Sequence, residues 1–311
     1  MTSDSPHLRV PPRPMLAAKA TQAELEEAFR HHGLFWAFPK LDGIRGLSAD
    51  GGLYSRALKR IPNAEAQRRW SGEITAGLDG ELLATLAWDH DACRLATSAF
   101  MTREGGLPRA ARYHVFDCWD CPERPFSARY HRAYETATRW PELGLIAVGF
   151  TAVRSMDQML EVEAQVLAQG YEGLILRLPS APYKEGRSTL REGGMIKVKR
   201  TVDAEARCIG MVELEHNGNA AQVSELGLTR RSSHKEGKWG AGVLGALICE
   251  LPSGVTFNIG TGFDAAEREI IWARRAEYLG RLVKFRYFGH GEHERPRHPR
   301  FLAWRHESDL S

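Results

Sequence analysis

Lys40-Leu41-Asp42-Gly43-Ile44-Arg45 is the stretch that decides how this chain is read. An apolar run, Leu34-Phe35-Trp36-Ala37-Phe38, precedes it and ends at Pro39. That is the pattern of a buried strand that stops abruptly. Gly43 permits a backbone turn that bulkier residues resist. A lysine, an aspartate and an arginine therefore project from a strand end or a tight loop. A lysine amine is a nucleophile only where its neutral form is populated, which needs desolvation or cationic neighbours. Taken alone, the hexad reads equally well as a surface loop with three ordinary charges.

What surrounds it shifts that balance. Upstream, residues 1–14 carry Pro6, Pro11, Pro12 and Pro14 among polar residues, a flexible lead-in before packing begins at Met15. Residues 21–32 read as a helix: Thr21 and Glu24 have capping-box spacing, Gly33 can end it, and Leu25, Ala28 and Phe29 share a face. Downstream, residues 46–56 read as a hairpin turning at Asp50-Gly51-Gly52, whose second strand brings Ser55 and Arg56 back towards the hexad. In Leu78-Asp79-Gly80-Glu81-Leu82-Leu83, Asp79 and Glu81 face one side of an extended chain. Two carboxylates there need a cation, hydroxyl or metal between them, unless the strand is a solvated edge. Tyr113-His114-Val115-Phe116-Asp117 is another apolar strand ending in a carboxylate, and residues 127–140 and 155–169 read as helices. Glu172 stands at the mouth of a β-rich run, and Ile196-Lys197-Val198-Lys199 puts two lysines on one face of a strand. Paired ammoniums need an anion to offset them, or else they belong to a solvated edge strand.

One possible nucleophilic lysine, three carboxylates, several cations and an aromatic thus sit at strand ends. That set suits nucleotidyl transfer: an amine attacks the α-phosphorus, carboxylates hold a divalent metal, cations offset the triphosphate and the aromatic stacks on the base. In order along the chain, the hexad, Ser55-Arg56, Asp79-Gly80-Glu81, Phe116-Asp117, Glu172-Gly173 and Lys197-Val198-Lys199 resemble the motifs of the covalent nucleotidyltransferases, the ATP-dependent polynucleotide ligases and mRNA capping enzymes. The match narrows to small DNA ligases of the Chlorella virus type. It does so through residues 183–190, 203–206, 231–235 and 260–264, and through the tail Pro296 to Phe301 with Arg305-His306-Glu307.

The resemblance implies a role for each position. Lys40 would form a lysyl-AMP bond with ATP; Phe116 would stack on adenine; Arg45 and Glu81 would contact the ribose. Glu81 and Glu172 would bind Mg2+ or Mn2+. Lys197 and Lys199 would hold the α-phosphate. Arg56 and Arg187 would contact phosphate at the nick, and Asp42 would act when the DNA 3′-hydroxyl attacks. Arg297 and Arg305 would orient pyrophosphate. ATP and a divalent metal are the implied cofactors, and nicked double-stranded DNA the implied partner.

The expected architecture is α+β. Residues 15–200 would form a nucleotidyltransferase domain of antiparallel sheets and helices, and residues 201–311 a β-barrel OB-fold domain, with a hinge near 200–204. Five strands (207–215, 243–250, 254–260, 281–288, 301–305) and a helix at 264–276 carry the second assignment. Within it, residues 216–242 form a long, locally basic segment. The resemblance implies a DNA-contacting latch, with Arg230, Arg231, Lys235 and Lys238 on phosphates, salt-sensitive and blind to sequence.

Composition narrows the field. The chain has 311 residues and a net charge of +3, so any nucleic-acid face must come from local clustering. Five scattered cysteines suggest reduced thiols and a cytoplasmic setting, including that of a virus-encoded enzyme in a host cell. Cys118-Trp119-Asp120-Cys121 has half the spacing of a zinc site and no second pair. No apolar run is long enough for a membrane span, no signal-peptide core is present, and no heptad seam suggests more than a monomer. Rival readings are a capping guanylyltransferase, an RNA ligase, and a catalytically silent nucleic-acid binder.

Overall fold

The structure, a computed structural model, describes residues 10–85, 92–199, 201–219, 221–223, 229–231, 237–288 and 295–305; for 221–223 and 229–231 the backbone alone is described. The chain divides into two compact units, Met1–Lys199 and Arg200–Ser311.

In the first unit the elements run β1 (Met15–Leu16), β2 (Ala18–Lys19), α1 (Gln22–His32), β3 (Phe35–Pro39), β4 (Ile44–Ala49), β5 (Gly52–Tyr54), α2 (Ala64–Trp70) and β6 (Leu78–Leu83). Next come α3 (Ala92–Phe100), β7 (Arg112–Cys118), α4 (Phe126–Arg139), β8 (Leu145–Ala147), β9 (Thr151–Val153) and α5 (Met156–Ala168). The unit closes with β10 (Leu174–Arg177), β11 (Gly186–Arg187) and β12 (Ile196–Val198). Packing starts earlier than the proline-rich lead-in suggests, since Pro11 and Pro14 are already buried. Helix α1 has the full capping box between Thr21 and Glu24 and buries Leu25, Ala28 and Phe29.

Two five-stranded sheets organise this unit, in the orders β2-β12-β10-β3-β9 and β5-β4-β6-β7-β8. The expectation of antiparallel sheets is corrected here. Strand β12 pairs with β2 in parallel, and β7 pairs with β8 in parallel across α4, a helical crossover that brings the chain back in the same direction. The solvated-edge alternatives also fall away. Strand β6 lies between β4 and β7, and β12 between β2 and β10. Helices α1 and α5 contribute to a core with Phe35, Leu174, Leu176 and Ile196, while the second sheet packs Leu78, Leu82, Tyr113 and Val115 with α2, α3 and α4. A third cluster holds Phe38, Phe126, Tyr130 and Val148, with Leu41, Phe116 and Ile175 against it. The hexad and the adenine-stacking candidate therefore share one packed layer.

The second unit runs β13 (Val202–Asn217), β14 (Ala221–Val223), β15 (Thr229–Arg231), β16 (Lys238–Glu250), β17 (Thr256–Ile259), α6 (Ala265–Ala273), α7 (Arg275–Tyr278), β18 (Leu282–Tyr287) and β19 (Arg300–Arg305). Five of these strands form a sheet in the order β17-β16-β13-β18-β19, an OB-like arrangement, with α6 capped by Asp264 and Glu267. The described residues of the segment expected as a latch lie mostly in strands. Strands β13 and β16 stay paired out to Asn217 and Lys238, and β14 pairs with β15. Cross-strand pairing thus absorbs backbone groups that a loop would leave to water.

Candidate active site

The hexad's geometry follows from its place between the two sheets of the first unit. Strand β3 ends at Pro39, and the Lys40 amide donates to the Gly173 carbonyl at 2.8 Å. Gly173 has φ +141°, and a Cβ there would meet the Val198 carbonyl at 2.3 Å, so glycine is required. Gly43 is needed for a different reason from the one its turn suggested. Its φ is not positive; a Cβ would lie 2.4 Å from the Leu82 carbonyl, so the requirement is close approach to β6.

Lys40 Nζ donates to Glu172 Oε2, and Lys199 Nζ reaches Glu172 Oε1 at 3.2 Å. One carboxylate thus bridges the expected nucleophile and one of the paired lysines. Burial by itself would raise the Glu172 carboxyl, but Lys40 and Lys199 prevail and hold it below the usual range. Lys197 sits two residues before Lys199, on the same face of the strand. Burial first, then Lys19, Lys40, Arg187 and Lys199, pull its amine below the usual lysine range. Among the described residues the anion expected to offset the paired lysines is therefore only half present: Glu172 answers Lys199, and Lys197 faces further cations.

The second sheet supplies the other wall. Arg45 pairs in register with Glu81, and its guanidinium holds Asp79 through Nε at 2.5 Å and Nη2 at 2.6 Å. It also lies 4.8 Å from the Phe116 ring centroid. This is the cation the two carboxylates of β6 require. Asp79 is fully buried and accepts a further bond from Tyr183 at 2.8 Å, and Tyr183 in turn accepts from the Met15 amide. Glu81 accepts from the Gly43 amide at 3.2 Å, and burial raises its carboxyl to about 7 against the opposing charges of Arg45 and Lys40. Half-buried Phe116 thus has a positively charged plate on it and packs against Leu41's cluster.

The remaining expected residues are more dispersed. Asp42 is half-buried beside Gly43, Arg56 is exposed in the turn after β5, and Arg187 is exposed on β11 with Nη1 on the Ala17 carbonyl at 2.7 Å. In the second unit, Arg305 pairs with Glu205 at 3.3 Å, Arg297 accepts through its carbonyl from the Phe288 amide at 3.0 Å, and Lys238 pairs with Glu215 at 3.2 Å. Arg230 and Arg231 lie on β15, and their side chains are outside the described residues, as are Lys235, His306 and Glu307. Lys284 and Arg286 are answered by Asp203, with Arg286 at 2.6 and 2.9 Å.

Sequence reasoning missed a buried network beneath the site. Asp117 accepts from Arg129 Nε at 2.8 Å and from Arg177 Nη2 at 2.5 Å, and all three side chains are buried. Arg177 also lies 3.8 Å from the Phe126 ring centroid. These residues tie β7, which carries Phe116, through α4 to β10, which Glu172 precedes. The one sequence signal was a carboxylate ending an apolar strand at Asp117; nothing marked its partners 12 and 60 residues away.

No group of three or more His, Cys, Asp or Glu side chains among the described residues is arranged to hold a metal, and all five cysteines are free thiols. Among the described residues no helix is long and apolar enough to cross a membrane.

Comparison with known proteins agrees with this geometry. Residues 14–199 match the ATP dependent DNA ligase domain, and residues 236–305 match the DNA ligase OB-like domain. The Chlorella virus DNA ligase-adenylate structure is 31% identical, with a TM-score of 0.53 over 94% of this chain and 99% of that one. A Lig E DNA ligase, characterised for DNA binding with a minimal scaffold, is 27% identical, with a TM-score of 0.67 over 94% of this chain and 98% of that one. The DNA ligase of African swine fever virus is 26% identical over 183 residues, 53% of this chain and 42% of that protein. The chain therefore spans less than half the length of the curated relatives it matches. A lysine held at a strand end by a carboxylate, a pair of strand lysines and an aromatic wall, in a region that matches the ligase domain for more than half of the chain, place it in one family: the chain belongs to the ATP-dependent DNA ligases.

Proposed function

We propose that this chain seals 5′-phosphate/3′-hydroxyl nicks in duplex DNA through a lysyl-AMP intermediate. The observation that carries the reading is Glu172 bridging Lys40 and Lys199, with Lys197 on the same face. In step one, Lys40 Nζ attacks the α-phosphorus of ATP. An ammonium proton first leaves towards the carboxylate that Lys40 already faces; the neutral amine then forms the N–P bond as the bond to pyrophosphate breaks, and a second N–H proton is released to solvent. Lys197 and Lys199 hold the α-phosphate, Phe116 stacks on adenine, and Arg45 and Glu81 face the ribose. In step two, an oxygen of the DNA 5′-phosphate attacks the lysyl-linked phosphorus and frees Lys40. In step three, the 3′-hydroxyl oxygen attacks the 5′-phosphorus and expels AMP, with Asp42 at the hydroxyl and Arg56 and Arg187 on phosphate. Arg297 and Arg305 are assigned to the pyrophosphate, and Arg230, Arg231, Lys235 and Lys238 to the DNA backbone.

Glu81 and Glu172 offer hard oxygen donors of the kind Mg2+ or Mn2+ takes. Such ions are commonly held by one or two carboxylates plus substrate phosphates and water. When bound, the ion offsets charge on the triphosphate. The second unit is read as a closed OB barrel. The reading is supported by the parallel bridge between Thr261 and Arg300, which joins the edge after β17 to the opposite edge strand β19.

The test is sealing of a nicked DNA duplex with ATP or GTP, beside the same nick in RNA. Sealing of DNA with ATP alone is expected. Label taken from GTP would point to a capping enzyme, and sealing confined to RNA to an RNA ligase.

A further inference from the structure

We propose that Lys19 binds a phosphate lying next to the α-phosphate site, a contact that rests on the functional reading above. Strand β2 pairs in parallel with β12, and Lys19 stands directly opposite Lys197. Residues opposite one another in neighbouring strands share a face and lie roughly 4.8 Å apart. Lys40, Lys199, Lys197 and Lys19 therefore form a continuous line of ammoniums that leaves the nucleophile and ends at the sheet edge. Glu172 answers the first two. Among the described residues no ion pair answers the last two, whereas Lys184, three residues before Arg187, is neutralised by Glu192 at 2.7 Å. Arg187 closes the flank, bonded to the Ala17 carbonyl two residues before Lys19. Like charges gathered on one face are unfavourable unless an anion comes between them. The field at Lys197 supports the placement, since Lys19 acts on it more strongly than Lys40, Arg187 or Lys199.

The ligand chemistry is a phosphate oxyanion, from either the ATP tail or the backbone of the nicked strand. An edge lysine also guards a sheet against strand addition. That role would alter solubility and leave both binding arms below unmoved.

The experiment uses the whole chain as wild type, Lys19→Ala and Lys19→Arg. One arm measures KM for ATP in lysyl-AMP formation without DNA. The other measures affinity of the adenylated enzyme for nicked duplex across a salt series. Loss of one charged hydrogen bond weakens one arm by about tenfold in Lys19→Ala. If the source is DNA, the slope of log K against log salt also becomes shallower by about 0.9. Lys19→Arg restores most of the loss in either case. An unchanged KM and salt slope in Lys19→Ala, with wild type sealing normally, overturns the assignment and leaves the ligase reading standing. A folded, unadenylated wild type that takes up no AMP overturns both.

Discussion

Replacing Glu172 with Gln keeps the shape of the bridge and removes its charge. Lys40 is 24% exposed, Lys199 20% and Glu172 9%, so the three charges are only partly screened. At the 3.2 Å separation from Lys199, Coulomb's law with an effective dielectric near 20 gives about 5 kcal/mol before desolvation is subtracted. Breaking a buried pair on one side typically costs about 3–5 kcal/mol, and the partial exposure here brings the expectation to about 2–3 kcal/mol. For a unit of this size that lowers the melting midpoint by roughly 4–12 °C. The sign with pH is fixed. The Glu172 carboxyl lies below its usual 4.5 in the folded chain, so the unfolded state binds more protons there. The stabilisation is complete above that value and fades as pH falls through the folded one. Chemical unfolding of both forms across pH 3–8 should show a gap that is full at pH 7 and closes on acidification. A double-mutant cycle with Lys40→Met should return a coupling of about 1 kcal/mol or more. Equal midpoints at pH 7 and a coupling near zero would refute the bridge as an energetic link.

Three further outcomes follow from the site. Glu81, raised to about 7, accepts more strongly from a ribose hydroxyl as the carboxylate than as the acid, so kcat/KM for adenylation should rise through that pH and lose this limb in Glu81→Gln; a flat profile between pH 6 and 8 contradicts the assignment. Asp117→Asn leaves Arg129 and Arg177 buried without their carboxylate and should cost about 3–5 kcal/mol in chemical unfolding, while an unchanged midpoint would show the network to be energetically idle. Phe116→Ala should weaken ATP binding by about tenfold or more and Phe116→Tyr should not, since a stacked ring is worth about 1–3 kcal/mol; KM for ATP reads this directly.

The local parts of the fold were legible because their signals are local. Thr21 with Glu24 and Asp264 with Glu267 mark helix starts within four residues, and both capping boxes formed. The alternation at Ile196-Lys197-Val198-Lys199 placed both lysines on the working face. Pairings between distant segments were not legible. Strand β2 is two residues long, too short for periodicity to show, so Lys19 was missed although it stands beside Lys197. Arg129 looks like any polar residue of an amphipathic helix until α4 packs against β7, and Arg177 like the charged end of a strand. The meaning of Gly43 was hidden for the same reason, since its constraint is the carbonyl of Leu82, 39 positions away, and not its own φ. The expected strands stopped at 215 and began again at 243 because the glycines and charges of 216–242 mask the pairing of β13 with β16 that continues to Asn217 and Lys238.

The central claim is that Lys40 carries the nucleotide. Intact-mass measurement after incubation with ATP and Mg2+, for wild type and Lys40→Ala, followed by addition of nicked duplex DNA, tests it most directly. The account predicts a gain of one AMP on wild type alone, mapped to Lys40 and discharged with formation of a sealed strand. A gain of the same size on Lys40→Ala, or an AMP on wild type that nicked DNA fails to discharge, would contradict it.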